Sequence, residues 1–152
     1  MNQEKWKDAL ELVGIVAIIG SLILVAFELR QSTAVATTQA TFEINSMLDN
    51  SYRMRAQDPV LAQLIRTGRT DPGSLTKLEW DQFSAWLRAD MNGVEAAWFY
   101  YNNGLILEKD YDGYRAAACS RVTTKGGRKY WLAEKKFLAS GARDSIEEWC
   151  FQ

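Results

Sequence analysis

An uninterrupted apolar run near the N-terminus constrains this chain more than any other feature. Its residues, Leu12 to Phe27, include no charged residue, no Asn, no Gln and no Pro. As an α-helix the run covers about 24 Å, and its flanks extend it towards the ~30 Å hydrocarbon core of a bilayer. Apolar side chains occupy the whole circumference, which is typical of a helix in lipid or deep inside a protein. We therefore predict a transmembrane helix over residues 12–29, after a short amphipathic lead over residues 1–11.

Two other interpretations of this run stay open, a cleaved signal peptide and the buried core helix of a soluble protein. Ala34-Val35-Ala36 resembles a signal-peptide cleavage site, but it lies well past the run, with Glu28 and Arg30 between. A spanning helix is favoured because Trp6 and two lysines precede the run as an interfacial anchor.

The charges on the two sides of the predicted span weakly favour one orientation of the helix in the membrane. Lys5, Lys7 and the amino terminus precede the span, and Arg30 follows it. The positive-inside rule then favours an N-terminus inside and a domain outside. Cys119 and Cys150 would form a disulfide in an oxidising compartment, and the alternative is two small apolar side chains in helices.

The absence of histidine from all 152 residues excludes several kinds of chemistry. Ser-His-Asp and Cys-His catalysis, histidine metal sites and histidine pH switches all require this residue. Two cysteines are too few for a structural zinc site. With a net charge of −1, no global field attracts nucleic acid. We predict no catalytic activity, no cofactor, no metal and no nucleic-acid partner.

The remainder of the chain reads as helices, because it contains only two prolines and few glycine-rich turns. We predict an all-α protein: one N-terminal transmembrane helix, a neck helix over residues 30–57, and a compact bundle of about five helices over residues 58–152. Helices are predicted from Asp58-Pro59 to about Gly68, over residues 77–102 behind a Thr76–Glu79 capping box, and over residues 105–124, 128–139 and 142–150. The residues predicted to point inward include Phe42, Ile44, Met47, Leu48, Tyr52, Phe83, Trp86, Leu87, Met91, Val94, Trp98, Tyr101, Trp131, Leu132, Leu138, Ile146 and Trp149.

Two sets of residues are candidates for protein–protein contact. Gly14, Ala17, Ser21 and Glu28 share one face of the span, where small side chains let a second helix approach closely. At the edges of the core stripe, aromatic side chains are predicted to be available to a partner. These are Trp80, Phe99 and Tyr100.

Arg88 and Glu95 lie seven residues apart, hence on one side of the aromatic helix. They are predicted to form a structural ion pair with Arg115 or Lys135, or else to bind a small polar ligand. Gly126-Gly127 is predicted to be a plain turn between helices. A helix N-terminus holding an anion or a lipid headgroup at Arg128 and Lys129 is the alternative.

Several short motifs follow one another along the chain. In order they are Glu28-Leu29-Arg30-Gln31-Ser32-Thr33, Asp58-Pro59-x-Leu61-Ala62, Leu87-Arg88-Ala89, Glu95 before aromatics, Gly104-Leu105, Tyr111-x-Gly113-Tyr114-Arg115, and Gly127 with Trp131. In these the chain resembles a family of small bacterial proteins with one N-terminal transmembrane helix and an uncharacterised helical domain. It departs from the family's aromatic-rich segments at Asp90, Asn92 and Gly93. The resemblance implies this architecture and a bacterial inner-membrane setting, and it implies no reaction.

Together these observations predict a membrane-anchored interaction or scaffold protein. It would lie in the lipid bilayer, and it would self-associate or serve as an accessory subunit beside other membrane-protein subunits. A membrane-anchored sensor of a small ligand is the alternative, and a membrane-bound enzyme comes third.

Overall fold

The computed structural model describes residues 3–151 and is all-α, as predicted. The described residues form α1 (Gln3–Gln57), α2 (Pro59–Thr70), α3 (Lys77–Asn102), α4 (Glu108–Val122), α5 (Lys125–Glu134), a 3-10 turn (Lys135–Phe137) and α6 (Ser140–Cys150). They divide into two compact units, Met1–Thr38 and Gln39–Gln152. The second unit is called the helical domain below.

In the first unit, α1 contains a stretch that is long and apolar enough to cross a membrane. A signal sequence near an N-terminus would have the same length and composition. None of the most apolar window is buried, and every side chain from Leu12 to Phe27 is exposed. The interpretation of this run as the buried core helix of a soluble protein is therefore wrong.

In the helical domain, the C-terminal part of α1 buries a face of mostly small residues. Ala40, Ile44 and Ser51 are buried, at spacings of four and seven. The predicted stripe was partly wrong, because Phe42 is 75% exposed and Met47 and Tyr52 are also exposed. Spacing alone does not identify the buried face here, because Met47 lies three residues after Ile44 and four before Ser51 and is still 38% exposed.

A glycine of α3 makes close packing of α1 possible. A Cβ atom added at Gly93 would lie 3.1 Å from Leu48 Cδ2. Gly93 is one of the positions at which the chain departs from the family that it resembles. A larger residue there would displace the Leu48 side chain.

The starts of α2 and α3 are confirmed. Asp58 accepts hydrogen bonds from the backbone N–H groups of Val60 and Leu61, at 2.9 and 3.0 Å. Thr76 and Glu79 form the predicted capping box, and the backbone N–H of Thr76 lowers the pKa of the Glu79 carboxyl.

The larger core of the domain is built on α3. Its members come from α2 to α6, and the aromatic stripe predicted for α3 provides the largest share. The buried residues are Ile65, Phe83, Trp86, Leu87, Met91, Val94, Ala118, Val122, Tyr130, Trp131, Leu138 and Ile146.

Four glycines predicted to end or separate helices lie inside helices instead. Gly68 does not end α2, which continues to Thr70, and the Phe83 ring covers it. Gly126 and Gly127 form the first turn of α5, and a Cβ at Gly126 would collide with the carbonyl oxygen of Gly68. The predicted turn is wrong because these glycines serve close contact between helices rather than chain reversal. Gly141 likewise lies in the first turn of α6, where a Cβ would meet the Trp98 ring.

Two further expectations for the C-terminal helices are wrong. α4 begins at Glu108 rather than at residue 105, because Gly104, with φ of +70°, reverses the chain after α3. Leu132 and Trp149 were predicted to be buried, but they are 76% and 46% exposed. The short α5 and α6 each bury a narrower face than the sequence pattern indicates.

A disulfide links the last helix to α4. Cys119 and Cys150 are bonded, with their Cα atoms 5.0 Å apart, and no cysteine among the described residues is free. The structure thus contains the disulfide, which was one of the two interpretations of these cysteines.

Candidate functional site

Arg88 and Glu95 lie together on α3, as their spacing predicts. Arg88 Nη2 is 4.0 Å from Glu95 Oε2, and it donates a hydrogen bond to the Phe137 carbonyl oxygen at 3.1 Å. Glu95 Oε1 accepts a hydrogen bond from the backbone N–H of Ala139, at 2.5 Å. The pair thus anchors the segment between the 3-10 turn and α6 to α3, which is a structural role.

The predicted partners of this pair are elsewhere. Lys135 forms an ion pair with Glu147, 2.5 Å between Nζ and Oε1, and this lowers the pKa of the Glu147 carboxyl. Arg115 pairs with Asp112, and its guanidinium carbon lies 3.6 Å from the centroid of the Trp149 ring. Arg115 therefore joins α4 to α6 and does not contribute to a site with Arg88.

A second aromatic interaction explains why Arg115 is held in place. Its guanidinium carbon lies 4.8 Å from the Tyr111 ring centroid, and the Tyr101 ring stacks on that of Tyr111, with ring centroids 4.8 Å apart. Tyr111 also shares a hydrogen bond of 3.0 Å with Ser145 of α6. These contacts fix the geometry of the domain without creating an open site.

A buried ion pair between Asp90 and Arg121 was not predicted. Asp90 is 1% exposed, and Arg121 also donates a hydrogen bond to Tyr52 Oη at 3.0 Å. Burial raises the pKa of the Asp90 carboxyl, while the nearby Arg121 charge opposes that rise. The sequence contained a signal, since Asp90 lies three residues after Leu87 and four before Val94, on the apolar face.

The three aromatic candidates differ in their availability to a partner. Trp80 is half-buried, because Lys129 Nζ lies 4.0 Å from its ring centroid and Phe83 packs beside it. Phe99 is 55% exposed. Tyr100 donates a hydrogen bond of 2.5 Å to Glu43 Oε2.

Phe99, Tyr100 and Glu95 line one cavity of about 350 Å³ in the helical domain. The side chain of Phe99 is the largest exposed apolar group there. We call this the Phe99 cavity. Here residues predicted for partner contact, Phe99 and Tyr100, lie together with Glu95, which was predicted for ligand binding.

A second cavity lies between the C-terminal part of α1, α2 and α3. Its volume is about 380 Å³, and we call it the Met47 cavity. The lining residues are Met47, Asn50, Ser51, Met54, Asp58, Val60, Leu61, Leu64, Gln82, Ala85, Trp86 and Ala89. The sequence did not predict this cavity, because its apolar spacing indicated that Met47 was buried. The same spacing predicted that Val60 points inward, but Val60 is 79% exposed.

The small-residue face of the apolar stretch of α1 makes few contacts with other described residues. A Cβ at Gly14 would meet nothing within 4 Å among the described residues. Ser21 Oγ donates a hydrogen bond to the Ala17 carbonyl oxygen at 2.9 Å. Its hydroxyl is therefore satisfied, and the face with Glu28 is exposed.

Over residues 3–151, no group of three or more Cys, Asp and Glu side chains has the geometry of a metal site. Comparisons with protein-family models, with curated proteins and with solved structures found no match. The family resemblance therefore stays a prediction.

Proposed function

We propose that the protein is a single-pass membrane protein whose helical domain is an interaction module, self-associating or part of a larger membrane assembly. One observation carries the proposal: all sixteen residues from Leu12 to Phe27 are exposed in an unbroken helix. A soluble monomer seldom exposes an apolar surface of this extent, because contact with water is unfavourable. A lipid bilayer removes that cost.

The helical domain lies outside the cytoplasm in this proposal, and the membrane is the bacterial inner membrane. Lys5 and Lys7 outweigh Arg30 in the flanks of the span, which favours an internal N-terminus. The disulfide between Cys119 and Cys150 supports the same orientation, because such bonds persist in oxidising compartments.

Association through the span rests on the face formed by Gly14, Ala17 and Ser21. In lipid, helices associate through close packing of small residues, since apolar side chains gain nothing by leaving the hydrocarbon. The exposed Phe99 of the helical domain gives a second contact point for a neighbouring subunit.

The native mass of the full-length protein, extracted gently from its membrane, tests this function. Gly14→Leu and Ser21→Leu place large side chains on the small-residue face. Ala26→Leu is the matched control, because at about 100° per residue Ala26 lies on the opposite face.

A discrete oligomer that dissociates in the first two variants, and persists in Ala26→Leu, would support self-association. Co-migration with other membrane proteins would support an accessory subunit. A monodisperse monomer without any co-purifying protein would contradict the proposal.

The Met47 cavity favours a second candidate function, a membrane-anchored sensor of a small apolar ligand. Its volume of about 380 Å³ and its mostly apolar lining are typical of small-molecule sites. A ligand that binds only the folded state must raise the unfolding temperature.

A thermal-shift screen of apolar metabolites against the full-length protein tests the sensor. A ligand should stabilise the wild type and lose its effect in Ala89→Leu, which fills the cavity. Ala133→Leu, at an exposed position outside the cavity, is the control. Unchanged unfolding temperatures across the screen would count against a sensor.

A further inference from the structure

Three arginines converge on a separate cavity of about 270 Å³ in the helical domain. Arg55 comes from α1, and Arg66 and Arg69 come from α2. The other lining residues are Ala62, Ile65, Thr70 and Thr124. None of the lining residues is acidic, and we call this place the arginine cavity.

The positive charge in this cavity is not balanced locally. Arg66 is exposed and, over residues 3–151, its side chain has no ion pair or hydrogen bond. Arg55 interacts electrostatically with the carboxylate of Asp90, which is buried and already paired with Arg121. A net charge of −1 for the whole chain makes such a concentration of cations a local feature.

Two of the three arginines are held in position by the fold. Arg69 Nη2 donates a hydrogen bond to the Ser120 carbonyl oxygen at 2.9 Å. The guanidinium carbon of Arg55 lies 5.2 Å from the Tyr52 ring centroid. Groups that are fixed before binding lose less entropy when they bind a ligand.

The N-terminus of α5 adds to the positive potential at this cavity. Thr124 is the N-cap of that helix and lines the cavity, and the first turn of α5 has no acidic residue. A helix N-terminus has a partial positive charge, which favours an anion nearby. The helix dipole and the arginines therefore act in the same direction.

The size of the cavity and its chemistry define the class of ligand. A volume of about 270 Å³ is below the range of about 300–1,000 Å³ for drug-sized ligands, so a small group fits best. The planar fork of arginine matches the oxygens of phosphate, and three cations suit a dianion better than a monocarboxylate.

We propose that the arginine cavity binds a phosphoryl group, either of a free phosphate compound or of a lipid headgroup. Arg66 provides the exposed cation at its mouth, and Arg55 and Arg69 provide the fixed ones. The proposal does not depend on the oligomeric state of the protein.

The experiment uses the full-length protein in bilayer discs of phosphatidylcholine, titrated with inorganic phosphate by calorimetry. The variant is Arg66→Gln, chosen because its side chain has no structural partner over residues 3–151 and its loss should leave the fold intact. Arg53→Gln is the matched control, an exposed arginine of α1 that does not line the cavity. A second arm uses discs that contain phosphatidic acid, without added phosphate, and measures the unfolding temperature.

Phosphate binding that weakens about 10-fold or more in Arg66→Gln, and stays unchanged in Arg53→Gln, would support a free phosphate ligand. Stabilisation by phosphatidic acid alone, lost in the same variant, would support a lipid headgroup. The proposal is overturned if neither arm distinguishes wild type from Arg66→Gln. It is also overturned if the control variant loses as much as Arg66→Gln, since that would indicate general electrostatic attraction.

Discussion

The apolar stretch of α1 and the aromatic helix α3 are both rich in large apolar side chains, yet the environments of these side chains differ. From Leu12 to Phe27 every side chain is exposed, whereas in α3 one face is buried and includes Phe83, Leu87 and Met91. The difference lies in the pattern. α3 alternates apolar and polar residues at helical spacing, so one face packs and the other meets water. The α1 stretch has no polar face, and its apolar side chains are exposed around the whole helix.

Replacing a leucine by alanine in each of the two helices tests this comparison. The substitution in α3 should have the largest effect on stability. Leu87→Ala removes a side chain that is 1% exposed and should lower the free energy of unfolding of the helical domain by about 2–5 kcal/mol. Leu22→Ala in the exposed stretch should change that free energy by less than about 0.5 kcal/mol. Denaturant unfolding followed by tryptophan fluorescence measures both. Equal losses would show that the two regions share one core.

The disulfide sharpens the comparison by stabilising the helical domain alone. Cys119 and Cys150 are 31 residues apart in sequence, and cross-linking a loop of this length restricts the unfolded chain. Reduction, or replacement of both by Ser, should lower the free energy of unfolding by about 3–4 kcal/mol. Helical content of the α1 stretch in detergent should not change. Identical unfolding of oxidised and reduced protein would contradict this prediction.

Glycines give a third test, because some in the helical domain are tightly packed whereas Gly14 in the exposed stretch has no close neighbour. Gly126→Ala would force a Cβ against the backbone of Gly68, and we expect a loss of about 1–3 kcal/mol in the helical domain. Gly14→Ala in the exposed stretch meets nothing within 4 Å. It should leave the stability of the helical domain unchanged.

Gly113→Ala is the control for this pair within the helical domain. It lies inside α4 with no neighbour within 4 Å, so alanine should raise the free energy of unfolding by about 0.5–1 kcal/mol. Thermal unfolding of the variants checks both predictions. Destabilisation by Gly113→Ala equal to that by Gly126→Ala would argue against close packing as the cause.

The last expected effect, which is absent at neutral pH, is a pH dependence at one buried tyrosine of the helical domain. Burial raises the pKa of Tyr130 to about 12, against the opposing charge of Arg88. In the unfolded chain a tyrosine loses its proton near pH 10, so the folded state holds this proton longer. Stability from Tyr130 is therefore complete below about pH 10 and falls as the pH rises towards 12.

The measurement is the free energy of unfolding at several alkaline pH values, for wild type and Tyr130→Phe. The wild type should lose stability more steeply, by at most about 1.4 kcal/mol per pH unit. Parallel curves would show that the phenol does not titrate differently in the two states.

Much of the fold followed from local signals in the sequence. The all-α class, the bounds of α3, its capping box and its aromatic core face depend on residues within a few positions of one another. The pairing of Arg88 with Glu95 also follows from their spacing of seven on one helix. Local rules suffice there, because a helix fixes the direction of its own side chains.

The candidate sites were less predictable, because each cavity combines residues distant in sequence. The Phe99 cavity joins α3 to Ala139, and the arginine cavity joins Arg55 to Thr124. No spacing rule connects such positions. The ion pair of Asp90 with Arg121 was missed for the same reason, although Asp90 alone was recognisable on the apolar face.

The sequence by itself determined the unbroken apolar helix and the amphipathic helices that follow, since both depend on the order of apolar and polar residues along one helix. Only the tertiary structure decided what the glycines do. Gly68 and Gly126 resemble helix ends in the sequence, but they lie where α2 and α5 approach too closely for a Cβ atom. Close approach between helices is a property of their packing, and the same absent side chain permits either a turn or a contact.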